Sequence, residues 1–291
     1  MTSKELLEAA SAQICKLEGH HFDILTVGKP ANAQYAKELT KIISKVSPLV
    51  GNLIELEAIA QLNQIKWPVA GEWQRQDPGF PDAIFKGDVS PSPGIEIKSW
   101  FPFSTEITAR FKESVEFFKY DQTNVAVLAW IPEFIIYGRP KVIGVWTGSA
   151  RELSMSRDSH YHNPPDYIVM EPGETDARTA NLQQSVVGGH KFQGSKEEFA
   201  KAEQACRELG LAKGTYSTSP SYQSKLKKLV GAFEYRVDTN FAKIDRVGNQ
   251  SLEAFKTKIQ EMTIDGKTVK QWSKLFQEDG DDLSGVLRLG E

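Results

Sequence analysis

The chain has 291 residues, 40% of them hydrophobic and 25% charged, which is enough apolar side chain for a buried core and excludes a protein disordered throughout. No apolar run approaches the ~20 residues of a membrane helix, and a net charge of −3 argues against a protein that coats nucleic acid without specificity. It leaves site-specific DNA binding open, because the local field depends on where the charges sit.

Met1-Thr2-Ser3-Lys4-Glu5 lacks the basic-then-apolar layout of a signal peptide. Cys15 and Cys206 fit no metal spacing and read as free thiols of a reducing cytoplasm. Residues 2–18 carry Leu6, Leu7, Ala10, Ile14 and Leu17 at helical spacing. A second helix is predicted over 31–46, broken at Val46-Ser47-Pro48, and a third from about Leu49 to Gln64, carrying Glu55 and Glu57. Residues 66–76 read as a polar, Trp-containing lead-in to the first strand.

Two short strands follow. Phe80-Pro81-Asp82-Ala83-Ile84-Phe85 and Gly94-Ile95-Glu96-Ile97-Lys98-Ser99-Trp100 flank a turn dense in Gly, Pro and Ser. In the second, Ile95 and Ile97 share one face, and Glu96 and Lys98 share the other. Residues 105–119 suit a short helix, and Val125 to Ile131 is an almost continuous apolar run, as in a strand buried on both faces. Val142–Trp146 and Tyr167–Met170 complete the predicted strands. Residues 148–195 are rich in turn formers and read as long loops. From Ser195, which with Glu198 makes a capping-box pattern, helices are predicted to Leu209 and near 221–235, 250–263 and 267–278. The fold class is α/β, a mixed central β-sheet flanked by helices, with a helical C-terminal part. The division drawn is 1–194, with the hairpin at 80–100 and a loop region at about 148–194, and 195–291 packed on it.

Asp82 and Glu96 converge across the hairpin turn. Two carboxylates at one point suit a hard divalent cation such as Mg²⁺. Lys98 beside them could orient a metal-bound water or neutralise charge on a phosphate. An alternating Ile-Glu-Ile-Lys strand is also the pattern of any half-solvated strand, with Glu96 and Lys98 an exposed pair and Asp82 a turn cap. Asp77 precedes Pro78 and Asp88 sits in the turn, so neither is placed beside Glu96.

Pro81-Asp82 with Glu96-Ile97-Lys98 resembles the signature of the PD-(D/E)xK nuclease superfamily, which includes most type II restriction endonucleases. The resemblance implies a restriction-endonuclease-like core and Mg²⁺-dependent hydrolysis of phosphodiester bonds in double-stranded DNA. It implies Asp82, Glu96 and the Ile97 carbonyl as metal ligands and Lys98 as the catalytic lysine. Glu55, on the helix before the hairpin, occupies the place of an acidic residue that joins the site in several of these nucleases, with Glu57 as its rival. A homodimer on a short palindromic site and a cognate DNA methyltransferase in the host are further implications. The alternatives are a nicking repair nuclease of the same fold and a DNA-binding protein without catalysis.

Residues 175–192 are similar to the recognition loop of the blunt-cutting, EcoRV-like branch. On that likeness Arg178, Thr179 and Asn181 are candidate base readers, following the usual pairings of Arg with guanine, Asn with adenine and Thr with the thymine methyl. Arg178 and Ala180 depart from the pattern, so no target sequence is carried over. Lys225 and Lys228, with Lys227, Arg236, Lys256 and Lys258, are available for phosphate contacts. His20-His21 and His160-x-His162 are too sparse for a zinc site. No nucleophile elbow and no P-loop occurs.

Overall fold

The computed structural model describes residues 1–76, 79–104, 107, 109–111, 115–161, 167–169, 189–192, 196–211, 219–233, 235–238 and 243–277. Helix α1 (Ser3–Cys15) opens on a reciprocal cap: the Thr2 hydroxyl accepts the Glu5 N–H, and Glu5 accepts the Thr2 N–H at 2.7 Å. Leu6, Leu7, Ala10 and Ile14 form its buried stripe.

Helix α2 is one element, Ala33–Leu62, where the sequence predicted two helices broken before Pro48. Proline removes one hydrogen bond and crowds the preceding turn. Here Pro48 is exposed, so the carbonyl that loses its partner lies on the wet side of the helix. The opposite side is a continuous buried stripe through Ala36, Leu39, Ile43, Val50, Ile54, Ala58 and Leu62. That packing runs past the proline and holds the two halves together.

Five strands make a mixed sheet in the order β1-β2-β3-β4-β5. They are β1 (Gly71–Arg75), β2 (Ala83–Gly87), β3 (Gly94–Trp100), β4 (Thr123–Pro132) and β5 (Pro140–Ser149). β3 and β4 run parallel, and every other neighbouring pair is antiparallel. β1 lies within the stretch predicted as a lead-in, where only Trp73 is buried and the apolar alternation is too short to show. In β4 every residue except Asn124 is buried, as its apolar run predicts.

Helices cover both faces of this sheet. A Cβ on Gly51 of α2 would lie 3.1 Å from Ser99 Oγ, so a glycine lets the helix close on β3. The next residue, Trp100, points to the other face and meets Phe255 of α6 (Gln250–Glu261) edge-on at 6.1 Å. A hairpin of β9 (Thr263–Ile264) and β10 (Lys267–Thr268) leads from α6 to α7 (Val269–Gln277). Its turn, Asp265-Gly266, has positive φ at both residues, which the Asp-Gly pair tolerates.

The chain forms two compact units. The first holds the described residues of 1–109, 114–153 and 249–277, and the second those of 110–113 and 154–248. The region drawn from sequence as 195–291 is thus shared, with α6 and α7 in the sheet's unit. In the second unit a small sheet runs β6-β7-β8 (Tyr167–Val169, Gly189–Phe192, Tyr235–Asp238), parallel then antiparallel. In the same unit α4 (Lys196–Glu208) and α5 (Pro220–Ala232) pack through Cys206, Leu211, Tyr222, Leu226 and Leu229.

A helix interrupts the predicted loop at 148–195. α3 spans Ala150–Tyr161, and its N-terminus is held by the Ser149 hydroxyl, which accepts the Glu152 N–H at 3.1 Å. Its buried positions include Ser154 and Arg157, so the apolar period is hidden in the sequence. Arg157 spends its charge on a main-chain carbonyl, donating to Phe111 at 2.8 Å. Cys15 and Cys206 are both free thiols. Among the described residues no helix is long and apolar enough to cross a membrane.

Candidate metal and catalytic site

The site is built at the start of the β2–β3 pairing. Ala83 pairs with Ile95 and Ile84 with Gly94, which sets Asp82 opposite Glu96. A Cβ on Gly94 would fall 2.3 Å from Pro81 Cγ, so the glycine is what lets the proline ring and its neighbour Asp82 come this close to β3. Gln76, just past the end of β1, holds the same corner. Its main-chain N–H donates to the Asp82 carbonyl at 2.8 Å and its amide to the Pro81 carbonyl at 2.9 Å.

Three charged groups meet there. Asp82 Oδ2 accepts the Ile97 N–H at 2.7 Å. The Asp82 N–H donates to Glu96 Oε2 at 3.2 Å. Lys98 Nζ lies 3.6 Å from Asp82 Oδ2 and donates to Glu96 Oε1. Their side chains are 17%, 9% and 18% exposed for Asp82, Glu96 and Lys98, which is reachable but largely out of water.

Burial raises the Glu96 carboxyl to about 7; Lys98 opposes the rise and Asp82 adds to it. Burial also works to lower the Lys98 ammonium, but the carboxylates of Glu96 and Asp82, with Glu55 behind them, outweigh it and hold the amine above its ordinary value. Two carboxylates against one ammonium leave net negative charge in a poorly solvated place. That balance opposes ionisation of Glu96, and a further cation would relieve it.

The donor set fits a small hard divalent ion. Asp82 and Glu96 supply carboxylate oxygens. The Ile97 carbonyl lies on the same edge of β3 as its N–H, which Asp82 engages. One or two carboxylates, with waters and substrate phosphates, are the usual surroundings of Mg²⁺. Among the described residues no three His, Cys, Asp or Glu side chains cluster as a ready-made metal cage.

Glu55 sits one turn beyond Gly51 on α2 and turns toward this corner. Its Oε2 is 3.0 Å from Arg75 Nη2, so it is engaged with β1 and is not a third converging carboxylate. Its charge still reaches Lys98. Glu57 faces away and lies 3.8 Å from His20 Nε2. Arg75 was not singled out from sequence, because one arginine after a buried Trp on a short strand carries no distinguishing pattern. Asp88 is exposed in the turn, while Asp77 lies outside the described residues.

His20 and His21 do not share a ligand site, since His21 lies 3.6 Å from Glu133, away from the His20–Glu57 pair. The candidate base readers Arg178, Thr179 and Asn181 fall outside the described residues, as do Ser195 and His162. Lys225 and Lys228 are exposed on α5 with Lys227, in the second unit. Lys256 is engaged with Glu253 at 3.0 Å.

No protein-family model, curated protein or solved structure matches this chain.

Proposed function

We propose that the chain is a Mg²⁺-dependent endonuclease with a restriction-endonuclease-like core, acting on double-stranded DNA as a type II restriction enzyme. The observation that carries this reading is the meeting of Asp82, Glu96 and Lys98 at the head of one hairpin, with Asp82 seated on the Ile97 N–H. The mixed five-stranded sheet with helices on both faces is compatible with that core.

Asp82 and Glu96, with the Ile97 carbonyl, would hold the ion. When bound, Mg²⁺ supplies Lewis-acid polarisation of a phosphate oxygen and a more acidic water. The Asp82 carboxylate is oriented by its bond from Ile97, which fixes one oxygen and would leave the other for the ion. A bound cation would offset the burial that raises Glu96 and favour its carboxylate form. Lys98, kept protonated by both carboxylates, presents a cation where charge grows on the phosphate. Arg75 draws Glu55 toward β1 and so limits the negative charge around the substrate.

Cleavage of supercoiled plasmid DNA tests the reading. Linear product formed only with Mg²⁺, and lost in Asp82→Ala, supports it. Product that stops at nicked circles moves the assignment to a nicking nuclease of the same fold. Binding with no turnover in Mg²⁺ or Mn²⁺ removes the catalytic role.

A further inference from the structure

Two exposed aromatic rings stand beside the acid pair. Phe117, in a 3₁₀ turn over Val115–Phe118, is 49% exposed, and Tyr120 just after it is 64% exposed. Elsewhere among the described residues the exposed aromatic side chains are Tyr35 and Phe134, each by itself in the sequence. Phe117 is braced from behind. It meets Phe80 edge-on at 5.4 Å and the buried Phe118 edge-on at 5.2 Å. Lys119 lies between the two exposed residues in sequence, its Nζ 4.8 Å from the centre of the Tyr120 ring, and no acidic group among the described residues pairs with it.

This stretch is tied to the catalytic hairpin. The Gln122 amide donates to the Phe117 carbonyl at 2.8 Å, and the Gly94 N–H donates to the Gln122 carbonyl at 2.9 Å. Gly94 is the residue that receives the Pro81 ring. Phe80, the brace of Phe117, precedes Asp82 by two residues, a span of at most about 7 Å. The rings are therefore fixed at the edge of the site.

A lone exposed apolar residue needs no explanation. Two rings and an unpaired cation held at the edge of a site for phosphodiesters match the groups on which nucleobases stack. In a duplex each base face is covered by its neighbours, so such a surface is used when a base leaves the stack. Unstacking costs a few kcal/mol, least for an unpaired base, and stacking on an aromatic side chain returns ~1–3 kcal/mol. We propose that Phe117 and Tyr120 form a stacking platform for a substrate base that leaves the duplex beside the scissile phosphate, with Lys119 on the adjoining phosphate. DNA as the occupant rests on the phosphodiester reading of Asp82, Glu96 and Lys98, whereas the stacking is measured without cleavage.

In EDTA, the full chain is titrated by fluorescence anisotropy into a short labelled duplex with one unpaired thymine, and into the same duplex fully paired. Wild type is expected to bind the first about tenfold more tightly. Phe117→Ala with Tyr120→Ala is expected to abolish that preference with circular dichroism unchanged, because neither side chain is in the core. The salt dependence of binding should stay as in wild type, since no phosphate contact is lost. Phe117→Trp with Tyr120→Phe is expected to retain the preference, and Lys119→Ala to lower the slope of log affinity against log salt by about one. Equal binding of the two duplexes by wild type, or a preference that survives the double alanine, overturns the inference whether or not the protein cleaves DNA. A preference that the double alanine abolishes, in a protein that never cleaves with Mg²⁺, upholds the platform and removes the nuclease reading.

Discussion

Replacing Glu96 by Gln removes a buried charge and keeps the shape of the side chain, and its effect on stability depends on pH. Glu96 is raised by burial from 4.5 to about 7 in the folded chain. Below pH 4.5 the group is protonated whether the chain is folded or not, and it costs nothing. Between 4.5 and 7 the folded form must keep a proton that the unfolded form releases, so stability falls as pH rises through the folded value. The ceiling of that loss is roughly 3–4 kcal/mol, from the difference between 7 and 4.5 at about 1.4 kcal/mol per pH unit. Glu96→Gln does not suffer it. Thermal unfolding in EDTA is therefore expected to show a variant whose advantage over wild type grows from pH 5 to pH 8. At roughly 2–4 °C per kcal/mol, the growth should reach several degrees. Adding Mg²⁺ at pH 8 should narrow the gap, since a cation bound by Glu96 compensates the same burial. A difference between the two proteins that is flat across this range would refute a raised Glu96 and the charge balance inferred for the site.

Asp82→Ala and Lys98→Ala should each lower Mg²⁺-dependent cleavage by about 100-fold or more while leaving the circular dichroism unchanged, as loss of one group acting on developing charge does. Gly94→Ala drives a methyl into the Pro81 ring; it should cost about 1–3 kcal/mol in denaturant unfolding and weaken cleavage as well, because Asp82 moves with the proline. Pro48→Ala restores a helix hydrogen bond at an exposed position and should stabilise the chain by about 1–3 kcal/mol, measured in the same way. A destabilised Pro48→Ala would mean that the proline shapes α2 in a way the core needs.

The hairpin was legible because its signals are local. β3 is found over the very residues 94–100 that alternate in the sequence, and the strand period alone put Glu96 and Lys98 on one face. The β2–β3 register then brings Asp82 to them. The continuous α2 was not legible. Proline is read as a break unless it is known to face water while the other side of the helix stays buried, and that is a tertiary fact. α3 was hidden because its inward positions include the polar Ser154 and Arg157, and Arg157 is matched by a carbonyl at Phe111, far away in sequence. The pairing of Glu55 with Arg75 was equally out of reach, since it needs the packing of α2 on β1.

Digestion of unmethylated bacteriophage DNA, with and without Mg²⁺, tests the central claim most directly. Discrete fragments that appear only with Mg²⁺, and that Asp82→Ala fails to produce, are the predicted result, and their ends would give the site and the stagger. DNA left uncut by the wild-type protein in both Mg²⁺ and Mn²⁺, across several substrates, would contradict it and return Asp82, Glu96 and Lys98 to the role of charges that stabilise a hairpin.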